Sequence, residues 1–156
     1  MDRITPSRYS EVFFRFGMTF RIILRLEMIE SISENRVILG TFVEEAAKYK
    51  DEKYPDLMRG AYKKEVVDFY IASLLGKKDY EAKYNALQIP FNDLKEDTHV
   101  NVGTVSVINY AHEHNIAVMY WTINNEEDAR YLMSIGADCV ITDYPDMVYK
   151  IRETME

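Results

Sequence analysis

Residues 116–146 read IAVMYWTINNEEDARYLMSIGADCVITDYPD. Ile116 to Thr122 is an apolar run of strand length. Asn124 or Asn125 can cap a following helix, and Glu126, Glu127 and Asp128 suit its positive end. Ala129, Leu132 and Met133 fall on one stripe of that helix, and Gly136 fits the left-handed residue after it. Ala137 to Thr142 is a second strand. Asp143 is placed to cap a last helix with Pro145 in its first turn, and Val148 and Ile151 as its buried contacts. A strand–helix–strand–helix unit of this size cannot bury its own apolar faces, so it belongs to a larger sheet.

The same alternation extends upstream. Val105, Ile108 and Ala111 or His112 share a stripe, so the later part of Val100 to His114 is expected to be helical, ended by Asn115 in left-handed geometry. Asn85 to Pro90, NALQIP, is a short strand candidate. Before it lie a polar connection, Asp79 to Lys83, and the helix KKEVVDFYIASLL. There Val66, Val67, Tyr70, Ile71, Leu74 and Leu75 stand at helical spacing, closed by Gly76. LMRGAY, Leu57 to Tyr62, is a further strand candidate. Residues 43–56 suit a solvated helix that stops before Pro55, with KYKDEKY as its solvent face. RVILGTF, Arg36 to Phe42, holds a continuous apolar run, as in strands buried on both sides of a parallel sheet. A short helix is expected from Ile23 to Ser33, and residues 91–99 are mainly polar loop. Repeated strand–helix order predicts an α/β architecture on a parallel sheet.

Residues 1–22 stand apart. The first 36 residues hold six of the nine arginines and no lysine. Phe14, Phe16, Met18, Phe20 and Ile22 follow a two-residue period, which suggests a strand. A poorly ordered end and a membrane-surface helix over residues 13–28 are the other two readings.

The chain has 156 residues and a formal charge of −7. One domain is expected, and nucleic acid is not an expected partner, because its phosphates need a basic footprint. A membrane surface is not expected either. The single cysteine, Cys139, rules out an internal disulfide and a multi-cysteine zinc site. It lies in the apolar run ADCVI, which favours a structural thiol over a nucleophile. No signal peptide or transmembrane run is read, and a cytoplasmic location is the expectation.

Three strand ends hold the candidate site: Phe42, Trp121 with Asn124, and Thr142 with Asp143. In a parallel barrel all would converge on one face, and the following helix N-termini favour an anion there. Trp121 is the only tryptophan, and either a ligand or the core can claim it. The histidines make no catalytic case. His112 and His114 lie two apart on a helix and face different ways, and they read as surface residues. His99 sits in a polar loop.

These pieces resemble the glycerophosphodiester phosphodiesterase family of TIM-barrel enzymes. The likeness rests on Trp121, Thr122 and Asn124 as W-T-x-N, on Thr142, Asp143 and Pro145 as T-D-x-P, and on RVILGTF and NALQIP upstream. It covers about Ile23 to Ile151. The resemblance implies hydrolysis of glycerophosphodiesters to glycerol 3-phosphate and an alcohol, a step of lipid metabolism. Two histidines would serve as acid and base, with carboxylates holding calcium or magnesium. It places Phe42 and Trp121 on the wall beside the glycerol part.

The family's other motifs are H-R-G, E-x-D, H-D and E-x-K, all in its front half. H-R-G and H-D are absent here. E-x-D occurs once, at Glu126–Asp128, and E-x-K once, at Glu81–Lys83, both out of place. No catalytic or metal-binding residue is therefore assigned to this chain. A (β/α)8 barrel takes about 250 residues, so an incomplete barrel of about five C-terminal βα units is expected over residues 23–156. Such a chain is expected to be inactive alone, as a truncated fragment or split half. Its partners would be a small-molecule phosphodiester and either a second copy or a complementing chain. The alternative is a non-catalytic binding or assembly module that pairs through open sheet edges.

Overall fold

The computed structural model describes residues 37–91 and 100–155. The readings of residues 1–22, of the helix at Ile23 to Ser33, and of most of the 91–99 loop with His99 lie outside the described residues.

Among the described residues five strands run parallel: β1 (Ile38–Leu39), β2 (Met58–Arg59), β3 (Ala86–Pro90), β4 (Ala117–Trp121) and β5 (Cys139–Val140). A helix follows each: α1 (Glu44–Lys53), α2 (Lys63–Leu75), α3 (Val105–Glu113), α4 (Glu126–Ser134) and α5 (Pro145–Met155). The strands neighbour one another in chain order. β1 pairs with β2, β3 with β4 and β4 with β5, and a parallel bridge between Gly60 and Ala86 joins the two groups. Around that bridge, Asn85 N–H donates to the Arg59 carbonyl and Ala61 N–H to the Ala86 carbonyl, each at 2.8 Å. Tyr120 lies opposite Ile89 and Trp121 opposite Pro90, so β3 and β4 end together.

Alternation along each strand splits the apolar residues between two faces. Leu87, Ile89, Val118 and Tyr120 pack under the helices with Phe69, Ile108, Leu132 and Ile151. Leu39 packs there too, against Ala46, Tyr54 and Leu57. The opposite face carries Ile38, Ala86 and Met119, with Met58, Ala117, Cys139 and Ile141 around them. Cys139 is thus a half-buried apolar neighbour, as ADCVI suggests.

Most element readings stand, with boundaries drawn in by a residue or more. Asn115 has φ 58° and Gly136 φ 96°, and Gly76 closes α2 at φ 60°. Asn125, not Asn124, caps α4: its Oδ1 accepts from Asp128 N–H at 2.8 Å.

Four expectations are corrected. KYKDEKY is not a solvated face throughout, because Lys50 and Tyr54 are buried and Asp51 binds Arg59. Every helix in a sheet-backed layer must turn one side inward. Val105 is exposed, and the buried side of α3 is Val107, Ile108, Tyr110 and Ala111. His114 is half-buried, its ring 4.5 Å from that of Tyr110. The Asp143 carboxylate receives the Asn124 amide rather than capping α5.

Candidate functional site

The strands' C-terminal ends carry Thr41–Phe42, Ala61–Tyr62, Phe91, Trp121–Asn124 and Thr142–Asp143. β1 and β4 stand three strand steps apart, which is about 14 Å in a flat sheet at normal spacing. Yet the Phe42 and Trp121 rings meet edge to face, with centroids 5.9 Å apart. The sheet is therefore curled, with these ends on the concave side. A second contact says the same. The Gln88 amide oxygen of β3 reaches Gly40 of β1, two strands away. A Cβ on Gly40 would lie 2.5 Å from that oxygen, and one on Gly60 3.2 Å. Two glycines on adjacent strands thus leave room for one polar side chain on the concave face. Gln88 also places its Nε2 3.8 Å from the Met119 sulfur.

Phe42 is half exposed, as an aromatic side chain at a strand end can be when it borders a ligand space. Beside it, the Thr41 hydroxyl accepts from Val43 N–H at 3.1 Å and steadies the turn into α1. Trp121 is partly buried, and the peptide bond to Thr122 is cis. Under Trp121, Tyr120 donates to the Val102 carbonyl at 2.7 Å. Burial pushes its phenol well above the ordinary value, so it stays a neutral donor.

Asn124 interlocks two strand ends. Its Nδ2 donates to Asp143 Oδ2 at 2.8 Å, and its Oδ1 accepts from Asp143 N–H at 3.0 Å and from the Thr142 hydroxyl at 3.3 Å. The Thr142 oxygen accepts in turn from Tyr144 N–H. W-T-x-N and T-D-x-P are thus two halves of one hydrogen-bonded corner.

The N-termini of α1 and α4 are not open anion sites. Glu44 and Glu45 occupy the first turn of α1, and Glu126, Glu127 and Asp128 that of α4. Carboxylates already offset those dipoles. Within α4 the acids have local partners: Glu126 binds Arg130 and Asp128 receives the Asn125 amide. Among the described residues no group of three or more His, Cys, Asp and Glu side chains could hold a metal ion. These residues do not fit a divalent cation, and no step is derived through one. Glu81 and Lys83 are exposed and precede β3, so they lie at the opposite end of the sheet from Phe42 and Trp121.

That opposite end has a cavity of about 500 Å³, lined by Asn109, His112, Glu113, Asn115, Ile116, Ala117 and Asp138. Asp138 Oδ2 accepts from Val118 N–H at 2.7 Å and lies 2.9 Å from His112 Nε2. This carboxylate holds the start of β4, so its first role is structural.

The sequence reading missed Arg59, which is 1% exposed. It donates to both Asp51 oxygens at 2.9 and 2.8 Å and to both Glu65 oxygens at 2.7 and 2.9 Å. It therefore ties α1 and α2 to β2 beneath the site. An arginine inside the short apolar LMRGAY strand was the available signal.

A parallel sheet with one helix after each strand, curled so that its strand ends meet, is an α/β enzyme-type scaffold. The family model described as glycerophosphoryl diester phosphodiesterase family matches residues 6–147, and the chain belongs to that family. A Bacillus altitudinis glycerophosphodiester phosphodiesterase is 32% identical over 53 residues, which is 34% of this chain and 22% of the relative. The crystal structure of a glycerophosphodiester phosphodiesterase from Parabacteroides distasonis matches with a TM-score of 0.62 at 12% identity, covering 91% of this chain and 56% of that one. An Oleispira antarctica phosphodiesterase, in complex with the product sn-glycerol-3-phosphate, matches with a TM-score of 0.57 at 20% identity. It covers 85% of this chain and 49% of its own. The chain thus spans about half the length of these solved structures and less of the curated relative.

Proposed function

We propose that these residues form the closing side of a glycerophosphodiester phosphodiesterase barrel and hold the glycerol part of the substrate against Phe42 and Trp121. The observation that carries this is the contact of those two rings across the concave face. A glycerol 3-phosphate product in a neighbour of the same fold supports the ligand class. The acid, base and cation ligands of the family have no counterpart in this sequence, so hydrolysis requires residues from outside these 156.

The test is metal-dependent release of glycerol 3-phosphate from glycerophosphocholine by the purified chain, with calcium or magnesium supplied. Release should not rise above the protein-free blank. Robust turnover overturns the proposal of an incomplete site. Binding is read separately, because Trp121 is the only tryptophan. Its emission should shift on titration with glycerol 3-phosphate, and Phe42→Ala should weaken that response several-fold. A response unchanged by Phe42→Ala removes the wall.

The second reading, a non-catalytic assembly module, is favoured by one feature. Among the described residues β1 and β5 are each paired along one edge only, and open edges recruit other strands. A stable monomer by light scattering speaks against it.

A further inference from the structure

Helix α2 is apolar on two sides. Phe69 and Ala72 are buried in the core. Val67, Ile71, Leu74 and Leu75 form a second row on the outer side, and they are 50%, 49%, 68% and 67% exposed. A helix that is hydrophobic all round normally buries both faces, so among the described residues this row is a contact surface without its contact. Its surroundings are basic although the chain carries −7. Lys63 and Lys64 open the helix and Lys77 and Lys78 follow its end, all four exposed. The acids of the same stretch are Asp68, which pairs with Lys64, Asp79, and Glu65, which turns inward to Arg59.

We infer that the outer face of α2 docks on an anionic lipid surface. The apolar row enters the boundary between headgroups and acyl chains, and the lysines reach the phosphates with their stems lying along it. A lysine held near an anionic leaflet strengthens binding about five-fold. The shape favours a bilayer over a protein. A stable protein interface takes about 20–30 residues a side, whereas the exposed apolar row is four side chains on one helix. Antiparallel pairing of α2 with a second copy would also set Lys63 and Lys64 against the partner's Lys77 and Lys78.

The test is flotation of the full chain with vesicles of phosphatidylcholine and phosphatidylglycerol in equal parts, against pure phosphatidylcholine. Circular dichroism checks that each variant is folded. The wild type should float with the anionic vesicles and lose that binding on pure phosphatidylcholine and at high salt. Ile71→Ser with Leu74→Ser, and separately Lys63→Gln with Lys78→Gln, should each lower partitioning about ten-fold or more. The lysine variant keeps the test valid should the serine variant not fold. Absent flotation, equal binding to neutral vesicles, or variants that bind like the wild type overturn the proposal. So does loss of binding on Arg15, Arg21 and Arg25 substitution with the α2 variants unaffected, which would assign the surface to residues 13–28. A dimer dispersed by Leu74→Ser would assign the row to a second copy and overturn it as well.

Discussion

At the residue scale, Arg59 is buried and donates to the carboxylates of Asp51 and Glu65. Burial works against its charge, but the Glu65 and Asp51 carboxylates outweigh that and raise its pKa further. Removing one partner of such a buried pair costs about 3 kcal/mol or more, because the remaining charge is stranded. Glu65→Ala should therefore lower the urea-unfolding free energy by about 3 kcal/mol. Arg59→Met removes the buried charge itself and leaves two carboxylates that can turn to solvent, so it should cost less. A smaller loss for Glu65→Ala than for Arg59→Met would contradict this. The pH dependence has a definite sign. Burial would raise the Asp51 carboxyl, but the Arg59 hydrogen bond and charge, with Lys50, hold it below 3.8. Its contribution is present above the ordinary carboxylate value and is lost as pH falls through the lowered folded one. Acid unfolding as pH falls below the ordinary carboxylate range should be shallower in Arg59→Met.

Two glycines separate tight packing from slack. A Cβ on Gly103 would lie 2.3 Å from the Phe91 ring, while one on Gly40 meets the end of the flexible Gln88 side chain. Gly103→Ala should destabilise by about 1–3 kcal/mol, the usual range for overpacking. Gly40→Ala should cost clearly less, since Gln88 can swing away. Thermal melts of the pair measure the difference, and equal losses would mean that Gln88 is fixed in place.

At the scale of elements, the corner built by Asn124 joins the end of β4 to the end of β5. Asn124→Ala removes three hydrogen bonds at exposed positions. The expected loss is about 1.5–3 kcal/mol at a net of about 0.5–1 each. Because Trp121 stands three residues earlier, its emission should also change in the folded variant. A silent spectrum would show that the corner does not position the ring. The corner was half legible: the sequence supplied Trp121, Asn124, Thr142 and Asp143 as strand-end residues. It could not say that Asn124 ties to Asp143 while Asn125 caps the helix, because adjacent asparagines are equivalent to any local rule. Helix α2 shows the same limit. Its bounds agreed with Lys63 and Gly76, but apolar residues lie on so many of its sides that spacing could not choose the buried one.

At the scale of the whole molecule, family membership rests on a match over residues 6–147, and the chain spans about half of the solved relatives. The likeness to them is one of fold, at TM-scores of 0.62 and 0.57. On the proposed reading hydrolysis needs motifs that this sequence lacks, so adding a second chain that carries them is the reconstitution that tests it. If the two halves form one barrel, hydrolysis of glycerophosphocholine should appear in the mixture and fall at least ten-fold with Trp121→Ala. Activity that ignores Trp121 would show that this half is not part of the site.

Legible in the sequence alone were the strand–helix alternation, the parallel architecture, the helix end at Gly76, the left-handed turns at Asn115 and Gly136, and the family. Each is local, carried by apolar periodicity, by backbone freedom at one residue or by a short contiguous motif. The folded chain was needed to show that Phe42 meets Trp121, that Gln88 fills the space over two glycines, that Arg59 binds two helices and that the outer row of α2 is bare among the described residues. Those facts depend on how far the sheet curls and which helix side faces it. Curl and rotation are set by contacts between residues far apart in the chain, which no local pattern records.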